Sequence, residues 1–77
     1  MPFPLCALAP GESASILSIS ADDALYHRLS ALGFQYGKTI TVLRAGILKG
    51  PLQVAIGTTQ VIIRRNDAAK ITVQKAA

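Results

Sequence analysis

The chain changes its hydrophobic period inside RLSALGFQYGKTI (residues 28–40), and makes the change across two glycines. Upstream, Leu25, Leu29 and Leu32 stand at i, i+4 and i+7, the spacing that lines one face of a helix. Downstream, Ile40 and Val42 alternate with Thr39, Thr41 and Leu43, the period of a strand. Gly33 falls at the C′ position of the helix, where a left-handed residue ends the last turn at least cost to glycine. Gly37 falls in a second turn, QYGK, just before the strand. Phe34 lies between them and can fold back on the last helical turn to plug one end of a core. The join therefore reads as helix, cap, tight turn, strand, with the helix at about residues 21–32. Ser20 is its expected N-cap and Asp23 the reciprocal member of a capping box. Asp22 and Asp23 also suit the positive end of the helix dipole. Leu25, Leu29, Leu32, Gly33, Phe34 and Gly37 are the expected structural residues of this half.

The remaining segments read as sheet. PLCAL (4–8) is expected as a first strand, stopped by the Pro10-Gly11 turn. SASILSIS (13–20) reads as a strand whose imperfect alternation calls for a bulge. PLQVAIG (51–57) alternates through Leu52, Val54 and Ile56, GTT turns the chain, and QVIIRR (60–65) returns it. NDAAK (66–70) reads as one helical turn with Asn66 as its cap, and ITVQ (71–74) as a last short strand. Five or six short strands with one early helix fit a small antiparallel barrel, because closing the sheet protects its edges. At 77 residues the expectation is one domain spanning 1–77.

Composition narrows the function. Hydrophobic residues are 51% and charged residues 16% of the chain, which excludes disorder and leaves a sparsely charged surface suited to partner contact or self-association. A single cysteine, Cys6, precludes an intrachain disulfide and suits the cytoplasm. No apolar run approaches the roughly 18 residues of a membrane span. The opening MPFPLCALAP has no basic n-region, and its prolines argue against a signal helix. The net charge of +4 would suit nucleic acid or an acidic protein. The eight cations are scattered, however, with only Arg64 and Arg65 adjacent, so ordinary surface solvation is the reading preferred to a nucleic-acid footprint.

Residues for chemistry are scarce. The carboxylates are Glu12, Asp22, Asp23 and Asp67; the first lies in a turn, and Asp22 and Asp23 are explained by capping. No Ser-His-acid set, Cys-His pair or glycine-rich phosphate loop has a recognisable context. Asp23 and His27, four apart on the helix, make half a metal site where three or four ligands are needed, and Cys6 is placed in another strand. Cys6, with nothing basic beside it, reads as a small buried hydrophobe. Ile47 and Leu48, in a loop flanked by glycines, are apolar where packing gives little reason for it, which marks a protein contact or a cover over the barrel end.

Taken in order, PLCALAPGESASILSI, RLSALGFQYGKTITVLRAG, GPLQVAIGT and VIIRRNDAAKITV resemble the FeoA family over about Leu5 to Val73. The second block carries most of the likeness: a basic residue, Leu29, Leu32-Gly33-Phe34, and Gly37 before an alternating strand. Arg64, Asp67, Ala68, Ile71 and Val73 match the family's ending. Two turn positions depart from it, Tyr36 where a proline is common and Gly50 where an aspartate is common. The resemblance implies an SH3-like barrel. It also implies a cytoplasmic accessory role in ferrous iron uptake, beside the FeoB membrane transporter, with no catalysis and no cofactor of its own. Docking would be on the transporter's cytoplasmic GTPase domain or its membrane part. Ile47, Leu48, Lys49, Arg28 and Arg64 are the partner-binding candidates. The alternatives are a stand-alone module related to the C-terminal domain of iron-dependent repressors, or a small basic nucleic-acid-binding barrel.

Overall fold

The computed structural model describes residues 1–46 and 50–75. Six strands form one antiparallel sheet: β1 (Phe3–Pro4), β2 (Ser13–Ile19), β3 (Thr39–Ala45), β4 (Leu52–Ile56), β5 (Thr59–Ile63) and β6 (Ile71–Lys75). Helix α1 (Asp23–Ala31) is inserted between β2 and β3, and a single turn, α2 (Arg65–Ala68), between β5 and β6. The strand order is β1-β6-β2-β3-β4-β5. Thus β2 to β5 run as a meander, and the last strand is threaded between the first two.

Alternation sorts the side chains as the strand period demands. Ala14, Ile16, Ile40, Val42, Leu52, Val54, Ile56, Ile71 and Val73 turn inward and are buried, while their neighbours along each strand are half-buried or exposed. The register slips between Ile16 and Ser18 in β2, the bulge that its sequence calls for, and again between Val42 and Arg44 in β3. Each slip bends its strand, and two bends let a six-stranded sheet curl around one core. Leu5, Leu8, Leu25, Leu29, Phe34 and Ala68 complete that core from outside the sheet.

Four local expectations are corrected. PLCAL is strand only at Phe3–Pro4; Leu5–Ala7 is a 3-10 turn, so Cys6 is half-buried in that turn and not in a strand. The turn drops Leu5 and Leu8 into the core, which an outward-running strand of two faces would not do. The cap of α1 is Asp22, whose Oδ1 accepts the Leu25 N–H at 2.8 Å; the backbone N–H of Ser20 is instead committed to the Lys70 carbonyl. Strand β5 stops at Ile63, and the N-cap position of α2 is Arg64, with no side-chain cap bond, and not Asn66. Finally Leu32 is 39% exposed. The helix ends at Ala31, and Phe34, folded under by the cap, fills the core position beyond Leu29.

That cap has the expected form. The Phe34 N–H donates to the Leu29 carbonyl and the Gly33 N–H to the Ser30 carbonyl, both at 3.0 Å, the paired bonds of a Schellman motif. Gly33 has φ +106°. Gly37, φ +82°, occupies the third position of a Gln35–Lys38 turn, where a type II turn requires positive φ.

Candidate functional site

Two consequences of the topology build a groove at one side of the barrel. First, β5 is an edge, pairing with β4 alone. Second, the Schellman cap turns the chain at the end of α1, so that Leu29, Leu32 and Phe34 face this edge across a cavity of about 240 Å³. Val61, Ile62 and Ile63 line the opposite wall, and Arg28, Arg64 and Asp67 stand along its margin. Leu29, Phe34 and Ile63 are buried and make the floor. Ile62 is 72% exposed, the largest exposure of a large hydrophobic side chain in a strand among the described residues.

The polar margin is asymmetric. Arg28 on α1 meets Asp67 on α2 at 3.6 Å, and the arginine is 63% exposed. An exposed pair of this kind adds little stability, but it fixes where the guanidinium stands. Arg64 is exposed and takes part in no ion pair among the described residues. Two arginines against one aspartate leave the groove positive.

Of the partner-binding candidates read from the sequence, Arg28 and Arg64 are therefore brought to one groove. Ile47, Leu48 and Lys49 lie outside the described residues. Asp23 and His27 are both exposed on α1, and no group of three His, Cys, Asp or Glu side chains gathers among the described residues. Sequence reasoning missed Ile62. It is the middle residue of the apolar run Val61-Ile62-Ile63, which carries no alternation to mark which side chain turns outward, and only the strand order places it on an edge. It also missed Arg65, which donates from Nε to the Gly50 carbonyl and from Nη1 to the Cys6 carbonyl, each at 3.3 Å. Arg65 thereby ties α2 to the 3-10 turn and to the segment entering β4, across the gap that the sheet's hydrogen bonds do not close. A second cavity of about 260 Å³, lined by Gly50, Pro51, Arg64, Arg65 and Asn66, lies beside this tie.

The FeoA domain model matches residues 3–75. The chain belongs to the FeoA family. It is 37% identical over 70 residues to an Fe(2+) transport protein A/Fe(2+) transporter FeoB fusion protein of Porphyromonas gingivalis, a match covering 91% of this chain and 8% of that protein. The chain thus spans a small fraction of the curated relative's length. Among solved structures it is similar to the FeoA protein of Chlorobium tepidum, with TM-score 0.91 and 35% identity over 97% of this chain and 71% of that one. It is also similar to Stenotrophomonas maltophilia FeoA complexed with zinc, described as a prokaryotic SH3 domain protein, with TM-score 0.82 and 30% identity over 94% and 89%. The FeoA fold of this chain is accordingly the SH3-like barrel that the resemblance implies, and it agrees with the small antiparallel barrel read from the strand pattern. A manganese-dependent transcriptional repressor shares that fold at TM-score 0.89 and 24% identity, over 97% of this chain and 42% of the repressor.

Proposed function

We propose that this FeoA-family chain is an accessory domain of ferrous iron uptake, acting in the cytoplasm by docking on an FeoB-type transporter and carrying out no reaction itself. The observation that carries the reading is the fusion relative: there, a segment 37% identical to nearly all of this chain is joined in one polypeptide to an FeoB transporter. Two further features fit it. None of the helices among the described residues is long and apolar enough to cross a membrane, so contact with a membrane transporter would be made through its exposed parts. And Ile62, a large hydrophobic side chain left 72% exposed, lies on the edge strand that walls the arginine-rimmed groove, a surface suited to a protein partner.

The experiment is a binding titration of the chain against the detergent-solubilised FeoB-type transporter, repeated with its isolated GTPase domain. Saturable binding to either is the expected result, and the comparison assigns the partner domain. Absence of binding to both, at up to about millimolar concentration where only negligible affinities escape detection, would reject the docking role.

A further inference from the structure

We propose that the groove between α1 and β5 receives an extended, carboxylate-bearing segment of the transporter, which adds to β5 as a seventh strand. The inference rests on the docking role above and names its mode and its face.

Backbone geometry supplies the first argument. The β4–β5 hairpin has a two-residue loop, Gly57-Thr58, with Ile56 opposite Thr59. In such a hairpin the residues flanking the loop form a hydrogen-bonded pair, and bonded and non-bonded pairs then alternate. Thr59, Val61 and Ile63 therefore bond to β4, while Gln60 and Ile62 turn their N–H and C=O outward. No turn or loop bond reaches residues 59–63 from elsewhere among the described residues. The outward backbone of Ile62 thus borders the groove with its donor and acceptor available. Neither proline nor lysine guards the strand, the usual means of blunting an exposed edge.

Side chains supply the second. A strand laid along β5 would have α1 on its other flank and the buried Leu29, Phe34 and Ile63 beneath it, so every second side chain would enter an apolar floor. The cavity of about 240 Å³ has room for one or two such side chains. Charge then selects the occupant. Arg64 has no anionic partner among the described residues, and Arg28 and Arg64 together outnumber Asp67. A carboxylate on the incoming segment would meet this margin. A second copy of the chain fits poorly: each copy carries +4, and its own β5 has no carboxylate to offer.

The test uses the full chain, isotopically labelled, and the solubilised transporter. Amide exchange at Ile62, fast in the free protein, should slow at least about tenfold on binding, whereas Val61 and Ile63, already bonded to β4, should change little. Ile62→Pro removes the outward N–H while leaving the β4 ladder, and should weaken binding at least about tenfold more than Ile62→Thr, which keeps the N–H and gives up only the apolar side chain. Arg64→Glu should also lose at least about tenfold, and more at low salt than at high. Should Ile62→Pro fail to fold, the exchange measurement and Arg64→Glu decide alone. Binding with Ile62 exchange and Arg64→Glu affinity both unchanged would overturn the groove and leave the docking role standing. Failure of the wild type to bind would overturn both. Protection of Ile62 that grows with protein concentration in the absence of transporter would overturn the proposal in favour of self-pairing.

Discussion

Gly33 and Gly46 show two different reasons for a residue to have no side chain. At Gly33 there is room: a Cβ would lie 3.6 Å from the Ile56 Cγ2, an ordinary contact. What excludes other residues is φ +106°, which L-residues adopt only under strain. Gly33→Val is expected to lower stability by about 1–3 kcal/mol, read as a fall in the denaturation midpoint; an unchanged midpoint would mean that the Schellman cap rearranges at no cost. Gly46 is the reverse case. A Cβ there would come within 2.9 Å of the Gly50 backbone, so the limit is the close approach of two chain segments. The glycine at position 33 was legible because it ends an apolar period; that at 46 was not, because nothing in the sequence announces which backbones will touch. Glu12 gives a residue-scale effect of pH. It accepts from the Lys75 ammonium and from the Ala9 N–H, and these bonds, Lys75 first, hold its carboxyl below the ordinary carboxylate range. A carboxyl lowered in the folded state contributes stability above its unfolded pKa and loses it as pH falls through the lowered value. Glu12→Gln should therefore remove this contribution at neutral pH and flatten the acid side of the stability profile; the side chain is solvent-screened, so the change is small. A Glu12 carboxyl titrating by NMR like a free carboxylate would contradict the bond to Lys75.

Helix α1 illustrates how far periodicity carries at the scale of an element. Leu25 and Leu29 are buried as their spacing requires, yet Leu32, on the same i, i+4, i+7 stripe, is at the rim of the groove. A helical stripe predicts a shared face only while the helix lasts, and this one ends a residue earlier. Leu29→Ala should cost about 2–5 kcal/mol, the range for truncating a buried leucine, and Leu32→Ala under about 1.5 kcal/mol. Thermal or urea melts of the two variants check the difference, and equal losses would place Leu32 in the core after all. The strands were legible almost throughout, since β3 and β4 alternate cleanly and each has one buried face. The first segment was not. An apolar run of five residues carries no period, so PLCAL could not be told from the 3-10 turn that it contains. The candidate site was legible only in its parts: Arg28 and Arg64 were singled out separately, and it took the strand order to bring them together and to leave Ile62 on an edge.

For the whole molecule, one guanidinium spans the open side of the barrel. Arg65, between β5 and β6, grips the Gly50 and Cys6 carbonyls, two points far apart in sequence. Arg65→Met keeps much of the apolar stem and removes both bonds. The expected loss is about 1–3 kcal/mol, with faster exchange of amides in the 3-10 turn before global unfolding. If exchange there is unaltered, the tie is not what closes the seam. This side of the barrel faces away from the argument of periodicity altogether: adjacent arginines in RR look alike in sequence, and only one of them is spent on holding the fold while its neighbour borders the groove.

The pairing of Phe3 with Val73 sets the tempo at which such a molecule assembles. Strands β2 to β5 pair with their sequence neighbours, and their loops close cheaply. Seating β6 between β1 and β2 instead requires nearly the entire chain to be gathered first, and contacts of such long sequence separation slow folding. The meander, which contains both walls of the groove, can be native-like while the two ends are still searching for each other. Slow completion would fall on β1 and β6, toward the opposite end of the strand order from β5.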